Sequence, residues 1–219
     1  MVNEIGTVVT DYLLGVSALF SSLQLYKKYT ACPSNTVLKV WSWSFCSIAV
    51  SAILGGSFHG FAPTNEENAS LRAYYWIAVM VSLILSSFCI STAYAFEVVP
   101  QKYSFFFIFL LLIKLIYFCW LTLYRPVFFT VLVDYGSSLL LWFCTAVAFY
   151  PGRSWCSLMI ICGILSAVSG VIQQYKYNPF DRNEWFNHND LYHLVQLVAN
   201  YFLYCSAWKM GEHASKKNT

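Results

Sequence analysis

Between residues 188 and 193 the sequence His-Asn-Asp-Leu-Tyr-His gathers two histidines, an aspartate and an asparagine where a long apolar stretch is about to begin. Imidazole is the commonest biological metal ligand, and a catalytic zinc takes three protein ligands and a water. A further histidine, His59, closes the apolar string Leu-Gly-Gly-Ser-Phe-His-Gly-Phe. On a helix, Asn189 and Asp190 each share a face with His193, four and three residues away. His188 is five residues from His193, about 140° around a regular helix. It converges on His193 only if the helix starts irregularly. The candidate zinc ligands are therefore His59, His193 and one of His188 or Asp190. A plainer reading competes. Asn187 or Asn189 caps the helix by accepting backbone N–H bonds, and Asp190 in the first turn complements the dipole. That accounts for the asparagines and the aspartate but leaves His193, one turn deeper, unexplained.

Three more ionisable residues fall inside apolar stretches, where such groups are functional candidates by default. Asp11 lies near the start of the first stretch, Lys114 in the middle of the fourth and Asp134 two turns into the fifth. Lys114 and Asp134 come out at similar depth on consecutive helices at about 1.5 Å per residue, so an ion pair is one reading. The other makes Asp134 a site residue. Asp190, Asp11 and Asp134 are the candidates for a general base or for orienting a metal-bound water.

The elements that carry these residues follow from composition. Of 219 residues, 58% are hydrophobic and 11% charged, where a soluble domain carries about 25% charged residues. Residues 40–65, 73–96 and 154–175 contain no Asp, Glu, Lys or Arg, and each run exceeds the roughly 20 residues that span a bilayer as a helix. Continuous rather than alternating apolar runs disfavour a β-barrel. The expected fold is an all-α, seven-transmembrane-helix bundle forming a single domain over 1–219. The expected spans are about 8–26, 40–61, 73–96, 104–124, 126–149, 155–175 and 190–208. Glu4 and Asp11 argue for a retained first helix rather than a signal peptide.

Loop cations set orientation. Lys27, Lys28, Lys39, Lys102, Arg153, Lys209, Lys216 and Lys217 fall on one side, and Arg72, Arg125, Lys176 and Arg182 on the other. The richer side is expected to be cytoplasmic, with the C-terminus there and the N-terminus outside. Asn68-Ala69-Ser70, an N-glycosylation pattern, falls on the outer side. On this tracing the end of helix 2 and the start of helix 7 share a depth, which brings His59, His193 and Asp11 together. The eight cysteines form no Cys-x-x-Cys pair, so a thiolate zinc site or a disulfide framework is not indicated. A net charge of +3 spread over loops gives no nucleic-acid footprint.

Seven spans, the string Gly-Gly-Ser-Phe-His-Gly-Phe ending helix 2 and the string Phe-Asn-His-Asn-Asp-Leu-Tyr-His-Leu-Val-Gln opening helix 7 resemble the CREST superfamily. That group contains the alkaline ceramidases, the progestin and adiponectin receptors and the Per1-type lipid remodelling factors. The two strings look closest to an uncharacterised family within or near it. The resemblance implies a zinc held by one helix 2 histidine and two helix 7 histidines, and hydrolysis of a lipid amide or ester. By position His59 and His193 match two of those ligands. The helix 2 serine of the pattern is Gly55 here, and its first helix 7 histidine is Asn189, with His188 displaced by one. The leading expectation is a zinc pocket between helices 2 and 7, acting on membrane lipids in the endomembrane system or the plasma membrane. The alternatives are a non-catalytic lipid-binding or receptor-like protein, or an ion- or proton-coupled transporter.

Overall fold

A computed structural model describes residues 4–61, 69–149, 152–179 and 186–217. These form seven helices and, among the described residues, no strand: α1 (Ile5–Ala31), α2 (Thr36–Phe61), α3 (Ala69–Val98), α4 (Gln101–Tyr124), α5 (Phe128–Phe149), α6 (Ser154–Tyr175) and α7 (His188–Lys217). Asn68 and Arg182 lie outside the described residues. Six helices, α1 to α6, are long and apolar enough to cross a membrane. The chain is a helical, multi-pass membrane protein. α7 runs beyond the expected 190–208 at both ends.

α7 falls short of the apolar criterion for a reason visible in its faces. His193 and Asn200 are buried and point into the bundle beside apolar Ala199, Leu203 and Met210, while the exposed outer face carries Leu194, Val198 and Tyr201.

Small and hydroxyl residues bring the helices together, as expected where lipid tails are as apolar as leucine and close packing drives association. Ser22 donates to the Ser42 carbonyl between α1 and α2 at 2.7 Å, and Ser51 donates to the Val79 carbonyl between α2 and α3 at 3.0 Å. Ser206 of α7 donates to the Trp155 carbonyl of α6 at 2.8 Å. Asn35 caps α2 by accepting from the Leu38 N–H and donates to the Gly211 carbonyl of α7. A Cβ at Gly211 would lie 2.2 Å from the Leu38 side chain, so glycine is required for this approach. The aromatic-rich core joins Trp41 and Phe45 to Tyr94, Trp142, Trp155, Leu203 and Met210. α4 is peripheral: only Leu111 and Thr122 are buried on it.

Candidate functional site

α1, α2 and α7 meet at one end of the bundle, and three helical stripes converge there. Glu4, Thr7 and Asp11 recur at three- and four-residue spacing on α1, and Ser51, Gly55 and His59 at four-residue spacing on α2. α7 contributes Asp190 and His193. Asp11 and His193 are both more than nine-tenths buried. The His193 Nε2 is 3.2 Å from Asp11 Oδ1, and its Nδ1 is 3.2 Å from the Thr10 hydroxyl. His59 Nδ1 lies 3.0 Å from Glu4 Oε2, and Asn189 donates to that same oxygen at 3.5 Å.

Gly55 makes room for Asp11. A Cβ at position 55 would lie 3.2 Å from both carboxyl oxygens, so any larger residue presses on the carboxylate. The separation suits one proton shared between His193 Nε2 and Asp11 Oδ1. If Thr10 donates to Nδ1, the proton is on Nε2. If Thr10 accepts from Nδ1, it belongs to the acid or to an imidazolium. Asp11 Oδ2 is left as an acceptor, and it is buried without a hydrogen-bond partner.

Asp190 has a structural task. Its Oδ1 accepts from the Thr7 hydroxyl at 2.8 Å and its Oδ2 from the Asn187 N–H at 2.7 Å. In return, Asn187 Oδ1 accepts from the Asn189 and Asp190 N–H groups. This reciprocal pair is a capping box with aspartate at the third position. His188, the first residue of α7, has no hydrogen-bond or ion-pair partner among the described residues.

Asp134 is elsewhere. Lys114 Nζ donates to Asp134 Oδ1 at 2.6 Å, to the Asp134 carbonyl at 2.8 Å and to Ser138 Oγ at 2.7 Å. An ammonium has three donors, and all three are used. Ser87 and Ser91 extend the network to Ser138. Asp134 and Asp11 therefore belong to separate clusters.

Asp11, His59, His193, Asn189 and Gln173 line a cavity of about 70 Å³. Among the described residues no Lys or Arg lines it. Leu14, Ile48, Leu83, Phe128 and Tyr192 line it too, and the same five residues line a neighbouring cavity of about 560 Å³ between α5, α6 and α7. That chamber is mostly apolar, with Gln196 and Asn200 among its few polar residues. Leu140, Ile164 and Val171 line it and are more than half exposed, so it reaches the bundle surface between α5 and α6. Gly136 and Gly163 face open space there: a Cβ at either would meet nothing within 4 Å.

A three-ligand zinc centre needs more than this arrangement offers. Both His193 nitrogens are engaged, and His188 makes no hydrogen bond or ion pair among the described residues. Among the described residues, no three His, Cys, Asp or Glu side chains are grouped so as to hold a metal ion. The donor set as arranged does not fit the group.

Sequence reasoning passed over Glu4, Thr7, Thr10 and Gln173. The three- and four-residue spacing of Glu4, Thr7 and Asp11 was a readable signal, since it defines one face of α1. Nothing local marks Gln173. Sequence reasoning also missed a cluster at the opposite end of the bundle. There, Glu97 Oε1 lies 2.5 Å from His213 Nδ1, and Arg153 contacts the other ring nitrogen.

A family model described as a family of unknown function (DUF6962) matches residues 6–212, nearly the whole chain. The chain belongs to this family. No curated protein and no solved structure matches it.

Proposed function

We propose that this member of the family binds a lipid within the membrane, with its chain in the chamber between α5, α6 and α7 and its head at Asp11, His59 and His193. One observation carries the reading: five residues line both the apolar chamber and the small polar cavity, so an amphipathic molecule can occupy the two at once. The chamber's size falls within the range usual for small-molecule sites, about 300–1,000 Å³, and its lateral opening suits entry from the bilayer. Kinship with the CREST superfamily is part of this proposal, supported by the meeting of His59 and His193 at one end of a seven-helix bundle. So is the orientation that puts this end outside and the C-terminus in the cytoplasm, supported by the bias of loop cations.

Binding is favoured over an ion or proton path. Beyond Asn200, α7 turns Leu203, Ala207 and Met210 inward, all fully buried against Trp41 and Phe45. This apolar layer separates the site from the Glu97–His213 pair at the other end.

Gly163→Leu tests the reading. The new side chain enters open space, so the fold should hold while the chamber fills. Lipid co-purifying with the wild-type protein, read by mass spectrometry, should be lost from the variant. Equal lipid content in a chamber-filled, folded variant would rule the reading out. Zinc analysis separates hydrolysis from binding: about one zinc per chain, lost on replacing His59 or His193 with alanine, would favour the catalytic alternative.

A further inference from the structure

Two residues that line the small cavity carry buried side-chain oxygens with no hydrogen-bond partner among the described residues: Asp11 Oδ2 and Gln173 Oε1. Burying an acceptor without a partner is costly, and here it happens twice around one cavity. Asp11 Oδ2 is an acceptor whenever the carboxyl is ionised or its proton is shared with His193 through Oδ1. Acids are concentrated at the cavity, with Arg72 acting on His59 from beside it. Asp11 lines the cavity, Glu4 holds His59 at its edge, Asp190 is one turn from His193, and among the described residues no Lys or Arg lines the walls. The cavity's volume of about 70 Å³ has room for a small polar head.

We propose that the lipid head recognised here is a small, non-anionic hydrogen-bond donor, a hydroxyl or an ammonium carried on a single long alkyl chain. The proposal rests on the lipid-binding reading above and adds the chemistry of the head. Asp11 Oδ2 and Gln173 Oε1 accept from the head, and the chain leaves past Leu14, Phe128 and Tyr192 into the chamber. A carboxylate head would bring acceptors to acceptors and negative charge to acids, so fatty acids are selected against.

Three probes of equal chain length test this on delipidated protein in detergent, with binding read by native mass spectrometry: hexadecan-1-ol, hexadecylamine and hexadecanoate. The alcohol, the amine or both should bind at least about tenfold more tightly than hexadecanoate, the scale of one well-made hydrogen bond. Alcohol binding alone would assign the shared proton to a neutral Asp11–His193 pair, and amine binding alone to an ionised Asp11. Asp11→Leu and Gln173→Leu each remove one acceptor and should each weaken the preferred probe by about tenfold while sparing hexadecanoate. Gln173 Oε1 has no partner among the described residues to lose, so its variant decides the matter if Asp11→Leu does not fold. Hexadecanoate binding as tightly as the other two, or unchanged binding in both variants, overturns the donor-head proposal while leaving lipid binding in place. Failure of all three probes to bind, or undiminished binding in Gly163→Leu, overturns both.

Discussion

Asp11 and Gly55 form one unit across two helices, and substitution at either should be felt at the other. A Cβ at position 55 sits tighter against the carboxyl oxygens than ordinary contacts allow, and a branched side chain would push on Asp11 directly. Overpacking of this kind typically costs about 1–3 kcal/mol. Gly55→Val should therefore lower the melting temperature of the detergent-solubilised protein, and a midpoint at the wild-type value would refute the close packing. Asp190 makes a different prediction. Replacing it with alanine removes the acceptor for the Thr7 hydroxyl and the Asn187 N–H together. The expected loss is about 1–3 kcal/mol, read as earlier unfolding of the α1–α7 contact by hydrogen exchange. His188→Ala should be nearly silent in the same measurement, since His188 has no partner among the described residues.

The helices differ in how they are held. α4 buries little of itself, and Lys114 ties it to α5 through three hydrogen bonds from one ammonium. Lys114→Met would leave Asp134, almost fully buried, without its counter-charge. Breaking one partner of a buried pair costs about 3–5 kcal/mol, whereas replacing both with apolar residues is often neutral. The single variant should unfold much earlier than wild type, and Lys114→Met with Asp134→Leu should recover most of the loss. If the double variant were as unstable as the single, the pair would have a role beyond neutralising charge. α7 is set apart by its faces. A helix whose His193 and Asn200 point inward and whose Leu194, Val198 and Tyr201 point outward can lie in lipid despite its low mean hydropathy. Charge on its outer face should then disrupt membrane insertion, and Val198→Lys, scored by resistance to alkaline extraction, examines this directly.

At the scale of the whole molecule the orientation is the testable quantity. The loop cations predict that a thiol introduced at the C-terminal end of α7 reacts with an impermeant reagent only after the cytoplasmic side is opened. Labelling from outside in intact cells would reverse the assignment, and with it the side from which the Asp11 pocket faces solution. Composition and the lengths of the apolar runs were enough to read the helical membrane class and the approximate bounds of the helices, because lipid leaves a helix as the way to satisfy backbone groups within one segment. Sequence also brought His59, His193 and Asp11 to one depth, because depth follows from counting residues along each helix. It could not settle azimuth. Whether His188 turns toward His193, whether Asp190 is a base or a cap, and whether Asp134 joins Asp11 depend on how each helix is rotated and packed against its neighbours. The tertiary structure decided these: His188 makes no hydrogen bond or ion pair among the described residues, Asp190 closes a capping box, and Asp134 is committed to Lys114. It alone revealed the chamber between α5 and α6, a void left where two glycines face no neighbour. A void is a property of what fails to touch, and no spacing along one chain encodes it.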